Sequence, residues 1–428
     1  MFSATMFGSR ILDSARGACV GLRPIYGISM TETTPAVVVR GELNGLGVVR
    51  SLAGGGVPTV VVDTTFRRAA MWSRYCRTTL VDRLQGRPFV DSLLALQSRL
   101  GDRPVLILTD EMAVNTVSEC RDELASAYRF SLPSPDMVTI LGNKARFQEL
   151  AERHGLPVPR TAVLSREADL AKLRDLHFPV IVKPADKGPV YFGKTERLHV
   201  IADMGDADVK CRALLQTAGE LVAQEWIEGP DSDIYFTLFH RGRTPDHSMM
   251  FSGRKVVCHP PKVGTTAVCL AAPDMAPLLE PLTEEFIALS DYRGLGSLEF
   301  KWDAQRKTFV IIEPTVGRTD WQEEVATLSG ANIPLAAYRD LMDLPALAKS
   351  EPRCAVAWRE SYAHWGGRED MPAGVRVHDG YWRLDDPMPA LAFYGNAVLD
   401  RFQQRIVRPL LGAGHAMRRP RIRAAKQS

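Results

Sequence analysis

Two glutamates stand where a folded chain rarely puts a charge. Glu299 interrupts the apolar stretch GSLEFKW, and Glu313 ends FVII before the polar stretch PTVGRTD. A carboxylate among apolar neighbours is costly unless something positive neutralises it. Side chains alternate along a strand, so two carboxylates share a face only in the right register. If Ser297–Asp303 and Thr308–Glu313 form a hairpin with Glu299 opposite Glu313, Asp303 faces Phe309 and the connection is five residues, or three with a bulge. Two carboxylates side by side would repel unless they held a hard cation. Oxygen ligands without His or Cys point to Mg²⁺ or Mn²⁺. Magnesium takes phosphates as further ligands, so the pair implies a nucleotide. The alternative is two ordinary strand-edge carboxylates.

Cations close other apolar runs. Lys183 ends FPVIV, where a lysine is rare unless paired. Lys144 opens a helical stretch in GNKARF, and the loop ADKGPVYFGK, with Lys187, could fold over phosphates through backbone N–H and ammonium groups. Arg318 follows Glu313 closely enough to meet an anion on its far side. In RKVVCHPPKVG, Arg254, Lys255 and Lys262 could receive an acid, or could be solvated cations of a surface strand pair. Neither a Walker loop nor the glycine loop of protein kinases is present.

The elements that must hold these residues begin at PAVVVRGELNGLGVVRSLAGGGVPTVVVD, which reads as strand, helix from about Leu46 to Ala53, and parallel strand. DSLLALQSRL and RPVLILTD continue it as helix and strand, giving a doubly wound parallel α/β domain over residues 35–135. Residues 136–345 alternate apolar strands with helices. From 346 to 428, short aromatic strands precede a terminal helix placed near Asn396 to Leu410.

Five stretches in order resemble the ATP-grasp superfamily, within it the carboxylate–amine ligase group that includes D-aspartate ligase-like proteins. They are GNKARFQELAERHGLPVPRT, FPVIVKPADKG, QEWIEGPDSDIY, DYRGLGSLEFK and IIEPTVGR. The resemblance implies an ATP-grasp fold, two α+β subdomains clamping the nucleotide, over residues 136–345, with a preceding α/β domain and a small C-terminal α+β extension. It implies that Lys144 and Lys183 contact nucleotide phosphates, that Glu225, Trp226 and Ile227 hold adenine, and that Asp231 or Asp233 meets the ribose. It puts Glu299 and Glu313 at the metal pair and Arg318 at the transferred phosphate. Thr315 occupies a metal-ligand position where the family commonly has Asn, and one extra residue precedes Arg318. Lys187 and Arg254 complete the catalytic set. The implied activity is ATP-dependent joining of a carboxylate to an amine through an acyl phosphate, with ATP and Mg²⁺ or Mn²⁺ required.

Composition bounds the rest. The 428 residues carry a net charge of +3, so the whole chain is not a polycation built for nucleic acid. Seven scattered cysteines form no CxxC pair and suit a reducing, cytoplasmic setting. No apolar run approaches the roughly 18 residues of a spanning helix. Residues 1–34 read as a flexible leader. The tail RRPRIRAAKQS is basic without acids, either solvated or in weak contact with an anionic surface. The expected partners are ATP and small-molecule substrates, and a homodimer is compatible. Two rivals stand beside the ligase. Gly41, Gly45 and Gly47 after a strand, with Asp63 about 20 residues on, suggest an NAD(P)-dependent oxidoreductase. Thr315 suggests an inactive nucleotide-binding scaffold.

Overall fold

The computed structural model describes residues 34–185, 198–352, 354–363, 371 and 373–403. Its first layer is a four-stranded parallel sheet. In chain order the elements are β1 (Ala36–Val39), α1 (Leu43–Gly54), β2 (Thr59–Asp63), β3 (Arg77–Leu80), α2 (Gly86–Leu100), β4 (Val105–Leu108), α3 (Glu111–Glu119) and α4 (Arg121–Ala127). The strand order is β3-β2-β1-β4. β1 and β4, AVVV and VLIL, are buried along their whole length, as parallel strands covered on both faces must be. The order reverses between β1 and β4, which opens a crevice beyond their carboxyl ends.

A second sheet follows the helix pair α5 (Pro135–Gly142) and α6 (Lys144–Arg153). Its strands are β5 (Thr161–Leu164), β6 (Val180–Pro184), β7 (His199–Ile201) and, after α7 (Met204–Ala218), β8 (Leu221–Glu225), in the antiparallel order β5-β8-β6-β7. The third sheet holds β9 (Ile234–Arg241), β10 (Met249–His259), β11 (Thr265–Ala271), β12 (Gly294–Asp303) and β13 (Thr308–Val316), with α8 (Ala276–Leu289) between β11 and β12. After α9 (Glu324–Leu328) and α10 (Ile333–Leu341) the chain adds β14 (Val356–Arg359) and β15 (Arg376–Asp379), and the order becomes β13-β12-β9-β10-β11-β14-β15. The C-terminal strands therefore extend the sheet that carries both glutamates. α11 (Met388–Phe402) closes the described chain. It begins earlier than the expected Asn396, because Pro387 and Pro389 start a helix as readily as they end one.

The hairpin keeps the expected glutamate register and departs from it immediately afterwards. Glu299 pairs with Glu313, but Phe300 pairs with Ile311, so Ile312 is a bulge. Asp303 consequently faces Thr308 rather than Phe309, and the turn spans 304–307.

Helix α1 begins at Leu43, three residues before the expected start, because its glycines are packing positions. A Cβ on Gly45 would lie 2.1 Å from the Arg40 carbonyl oxygen, and one on Gly47 would lie 2.8 Å from a Glu323 carboxylate oxygen. The first sheet's helix is thereby pressed onto the segment that follows β13. Gly45→Ala is expected to lower the unfolding free energy by about 2 kcal/mol or more through overpacking. Gly54→Ala, where a Cβ meets only open space, is expected to leave it unchanged or raised. Urea denaturation of the two variants checks both outcomes.

Candidate active site

A cleft enclosing about 710 Å³ of space open to solvent lies where the three sheets meet. Lys144, Lys183, Glu313, Thr315 and Arg318 all line it. Local structure explains the gathering. Asn143 caps α6 by accepting from the Arg146 N–H at 3.0 Å, and the Lys144 N–H donates to the Ala185 carbonyl at 3.0 Å. That bond ties the start of α6 to the end of β6, so two lysines distant in sequence enter one cleft. The Lys144 ammonium stands 3.6 Å from the Glu313 carboxylate. Glu111, at the start of α3 beyond the β1–β4 crevice, closes the cleft from the first sheet and stands 4.0 Å from Arg318.

Across the hairpin, Glu299 accepts a 2.6 Å hydrogen bond from the buried Lys255 ammonium. Burial pushes the Glu299 carboxyl up, and Asp320 and Glu313 push it the same way against the opposing pull of Lys255. Burial works against the Lys255 ammonium in turn, but Glu299 and other acidic neighbours outweigh it and its pKa is raised. Asp320 is a third carboxylate at this point. It accepts from the Ser297 and Thr315 hydroxyls, both at 2.7 Å, and lies 3.9 Å from Arg318. Asn44 of α1 donates to the Thr319 and Asp320 carbonyls at 2.5 Å each, which fixes this loop against the first sheet.

Asp320 is absent from the expected site, and Lys255 stands there only as one of three cations that could receive an acid, without the role of holding Glu299. The signal for Lys255 was strand alternation. Arg254 points the other way, with its Nε donating to the Ser232 carbonyl and its guanidinium over the Tyr235 ring, so it is a loop anchor rather than a cleft residue. Alternation also separates the residues of β8, where the resemblance placed Glu225. Val222 and Gln224 line the cleft, whereas Glu225 is turned to the opposite face of β8. There Glu225 accepts from the His177 N–H at 2.9 Å and pairs with Arg306 at 3.2 Å. Trp226 and Ile227, half-buried, continue past the strand end without lining the cleft. Asp231 is committed to the β10–β11 turn, accepting from the Cys258 and Lys262 N–H groups at 2.8 and 2.7 Å. Asp233 packs against Gly229. Lys187 and its loop lie outside the described residues. Asp63, expected at a ribose in the oxidoreductase reading, is fully buried and accepts from the Gly41 and Thr64 N–H groups at 2.7 and 2.6 Å. Its oxygens hold the glycine loop itself.

Solved structures share the chain's architecture. The Staphylococcus aureus N5-carboxyaminoimidazole synthetase complexed with ADP superposes with a TM-score of 0.59 at 15% identity, over 75% of this chain and 82% of that one. The biotin carboxylase domain of Hydrogenobacter thermophilus 2-oxoglutarate carboxylase, in complex with MgADP, ADP and bicarbonate, gives 0.58 at 14% identity, over 75% and 72%. The chain has an ATP-grasp fold. No family model matches it. In sequence it is 21% identical to the D-aspartate ligase of Enterococcus faecium over 260 residues, 57% of this chain and 61% of that protein. It is 32% identical to the D-alanine–D-alanine ligase of Stutzerimonas stutzeri over 90 residues, 21% of this chain and 27% of that protein. The chain thus spans about three fifths of the D-aspartate ligase and about a quarter of the D-alanine–D-alanine ligase.

Behind this ATP-grasp cleft, a buried charge network ties the segment just after the Arg318–Asp320 loop to α1 and the C-terminal segment. Arg50 of α1 reaches Asp386 at 3.2 Å and Glu324 at 3.6 Å, and donates to the Gly380 and Tyr381 carbonyls. Arg383 pairs with Glu324 at 3.0 Å. Glu323, fully buried beside them, has hydroxyl partners, Ser51 at 3.3 Å and Thr327 at 3.3 Å. Burial, with Glu324 adding to it, pushes its carboxyl up to about 8. The folded protein therefore binds this proton more tightly than the unfolded chain, and the stability it contributes is lost as pH rises from the ordinary glutamate range through about 8. Glu323→Gln is expected to flatten that decline, matching the wild type near pH 5 and exceeding it at pH 9 in denaturant titrations across the range. A parallel decline in both proteins would show that Glu323 is already ionised in the fold.

Proposed function

We propose that this chain is an ATP-dependent carboxylate–amine ligase, which activates a carboxylate as an acyl phosphate and joins it to an amine with release of ADP and phosphate. The observation that carries the reading is the cleft that Lys144, Lys183 and Arg318 line together with Glu313, the cross-strand partner of Glu299. The ligase names of the relatives in sequence, and the ADP held by neighbours in fold, support it. Phosphoryl transfer asks a protein for positioning and charge neutralisation more than for covalent chemistry. Lys144 and Lys183 would neutralise phosphate oxygens. Arg318 would face the anion that develops on the transferred group. Gln224 offers a polar side chain on the wall where the base would lie.

The donor set fits a hard divalent cation. Among the described residues no group of three or more His, Cys, Asp or Glu side chains stands close enough to hold a metal. Glu299 and Glu313 are nonetheless direct cross-strand partners, and Glu299 is crowded by Asp320 as well. Carboxylate oxygens without His or Cys suit Mg²⁺. Bound there, Mg²⁺ would supply neutralisation of phosphate charge. Asp320, held by the Ser297 and Thr315 hydroxyls, would add a third carboxylate beside the pair. The substrates are a small carboxylate and a small amine, D-amino acids being the first to test, and the setting is the cytoplasm. The oxidoreductase is disfavoured because Asp63 is spent on its own loop.

Saturating Mg²⁺–ATP is expected to raise the melting temperature, by about 2.7 kcal/mol of added stability at a hundredfold excess over Kd. A shift with NADH and none with Mg²⁺–ATP would favour the oxidoreductase. Glu313→Gln keeps shape and removes charge. In an assay of ADP release against amino acids and other carboxylates, it is expected to lower turnover about a hundredfold, roughly 3 kcal/mol. Glu299→Gln is expected to behave alike, and the double variant to be far from additive because the two act as one unit. Near-normal rates in both would reduce the pair to strand-end carboxylates.

A further inference from the structure

Helix α11 carries an apolar face that nothing among the described residues covers. Its inner side is fixed. Phe393 stacks on Tyr381 with ring centroids 4.0 Å apart, Pro389 and Ala390 are buried, and Asp400 pairs with Arg67 at 2.5 Å. Its outer side exposes Met388, Leu391, Val398, Leu399 and Phe402, with Val398 at 66%. Met388, Leu391, Val398 and Phe402 recur at helical spacing, with Gly395 between Leu391 and Val398 and Leu399 alongside, so they lie along one face. Leu384, just before the helix, is 89% exposed and prolongs the apolar surface.

Charge is segregated at the same end of the chain. From Arg401 onward the sequence holds eight Arg or Lys residues and no Asp or Glu, leaving 45 basic against 50 acidic side chains before it. An apolar helix face continued by a polybasic segment has the two components of stable interfacial binding, insertion and charge attraction, each weak alone. A second copy of the chain on the stripe would bring two polybasic segments together. A phosphate-rich surface would neutralise one instead.

We propose that α11 and the basic segment after it dock on an anionic lipid surface, the stripe entering the headgroup boundary and the cations meeting lipid phosphates. This surface is separate from the ATP-grasp cleft and does not depend on the ligase reading. The test is co-sedimentation of the full chain with vesicles of phosphatidylcholine alone or mixed in equal parts with phosphatidylglycerol. The chain is expected to sediment with the mixed vesicles, to stay in solution with the neutral ones, and to be released by added salt. Leu391→Glu/Val398→Glu, at exposed positions, is expected to lower the bound fraction about tenfold or more while leaving the melting temperature unchanged. Removal of residues 404–428 is expected to weaken binding as strongly. A wild-type chain that stays in solution with anionic vesicles at low salt overturns the proposal. So does binding that the double substitution leaves intact, and so does a wild-type dimer, seen by light scattering, that the double substitution dissociates. A thermal shift with Mg²⁺–ATP in the same samples reads the cleft independently.

Discussion

Two carboxylates held side by side by a β-ladder are the constraint on which the rest of the site depends. The Glu299–Glu313 register makes them neighbours whether or not a cation is near. Their repulsion must be met from outside the hairpin. Lys255 meets it from β10, and Lys144 meets it from the first residue of α6. The bulge at Ile312, directly beside the pair, lets β13 carry Glu313 opposite Glu299 and still close the hairpin over a short turn. A strand pair without that irregularity would reach its turn one residue out of step.

The same demand explains why the fold is tied so firmly behind the site. Arg318 and Asp320 sit on an irregular segment, and irregular segments move unless something holds them. Asn44 grips the Thr319 and Asp320 carbonyls from one side. From the other, Glu324 is gripped by Arg50 of the first sheet's helix and by Arg383 of the C-terminal segment. Buried ion pairs contribute little net stability against apolar packing, but removing one partner strands a buried charge. Such pairs suit a joint that must have one geometry. Here the joint connects the first sheet's helix and the C-terminal segment at the chain that follows the cleft's arginine.

Much of this was legible in the sequence, and the failures share a cause. The parallel β1–β2 pair, the hairpin, the glutamate register and the gathering of Lys144, Lys183 and Arg318 follow from apolar runs, turn residues and motif order. What the sequence could not resolve was side-chain direction where two polar residues adjoin. Arg254 and Lys255, like Gln224 and Glu225, differ by one position and therefore by one face of a sheet. Motif position pointed to Glu225, and charge left Arg254 and Lys255 alike; pleat phase turns Lys255 and Gln224 toward the site, and that phase is set by pairing with distant strands. Asp320 was hidden for another reason. It acts across a loop, and its partner hydroxyls on Ser297 and Thr315 come from two different strands. The glycines of α1 misled because a close-packed helix and a phosphate loop both demand a missing Cβ, and only the contacts with Arg40 and Glu323 tell them apart.

Charge balance gives the last step. The cleft and its border hold four acids, Glu111, Glu299, Glu313 and Asp320, and four cations, Lys144, Lys183, Lys255 and Arg318. A site meant only to hold phosphates would carry the cations and omit the acids. Acids that are retained, and that sit in contact with the lysines and the arginine, cancel the field a polyphosphate would otherwise meet. They are consistent with the proposed chemistry only if they serve positive charge that arrives with the nucleotide, since the balanced cleft has no surplus of its own. The Thr315–Asp320 hydrogen bond belongs to the same account. A hydroxyl is a poorer oxygen donor to a hard cation than a carboxamide, and here it is coupled to a full carboxylate that the following loop brings back beside Glu299. Thr315 and the loop bearing Arg318 are thus two parts of one local arrangement, in which Asp320 accepts from the Ser297 and Thr315 hydroxyls and adds a carboxylate beside Glu299.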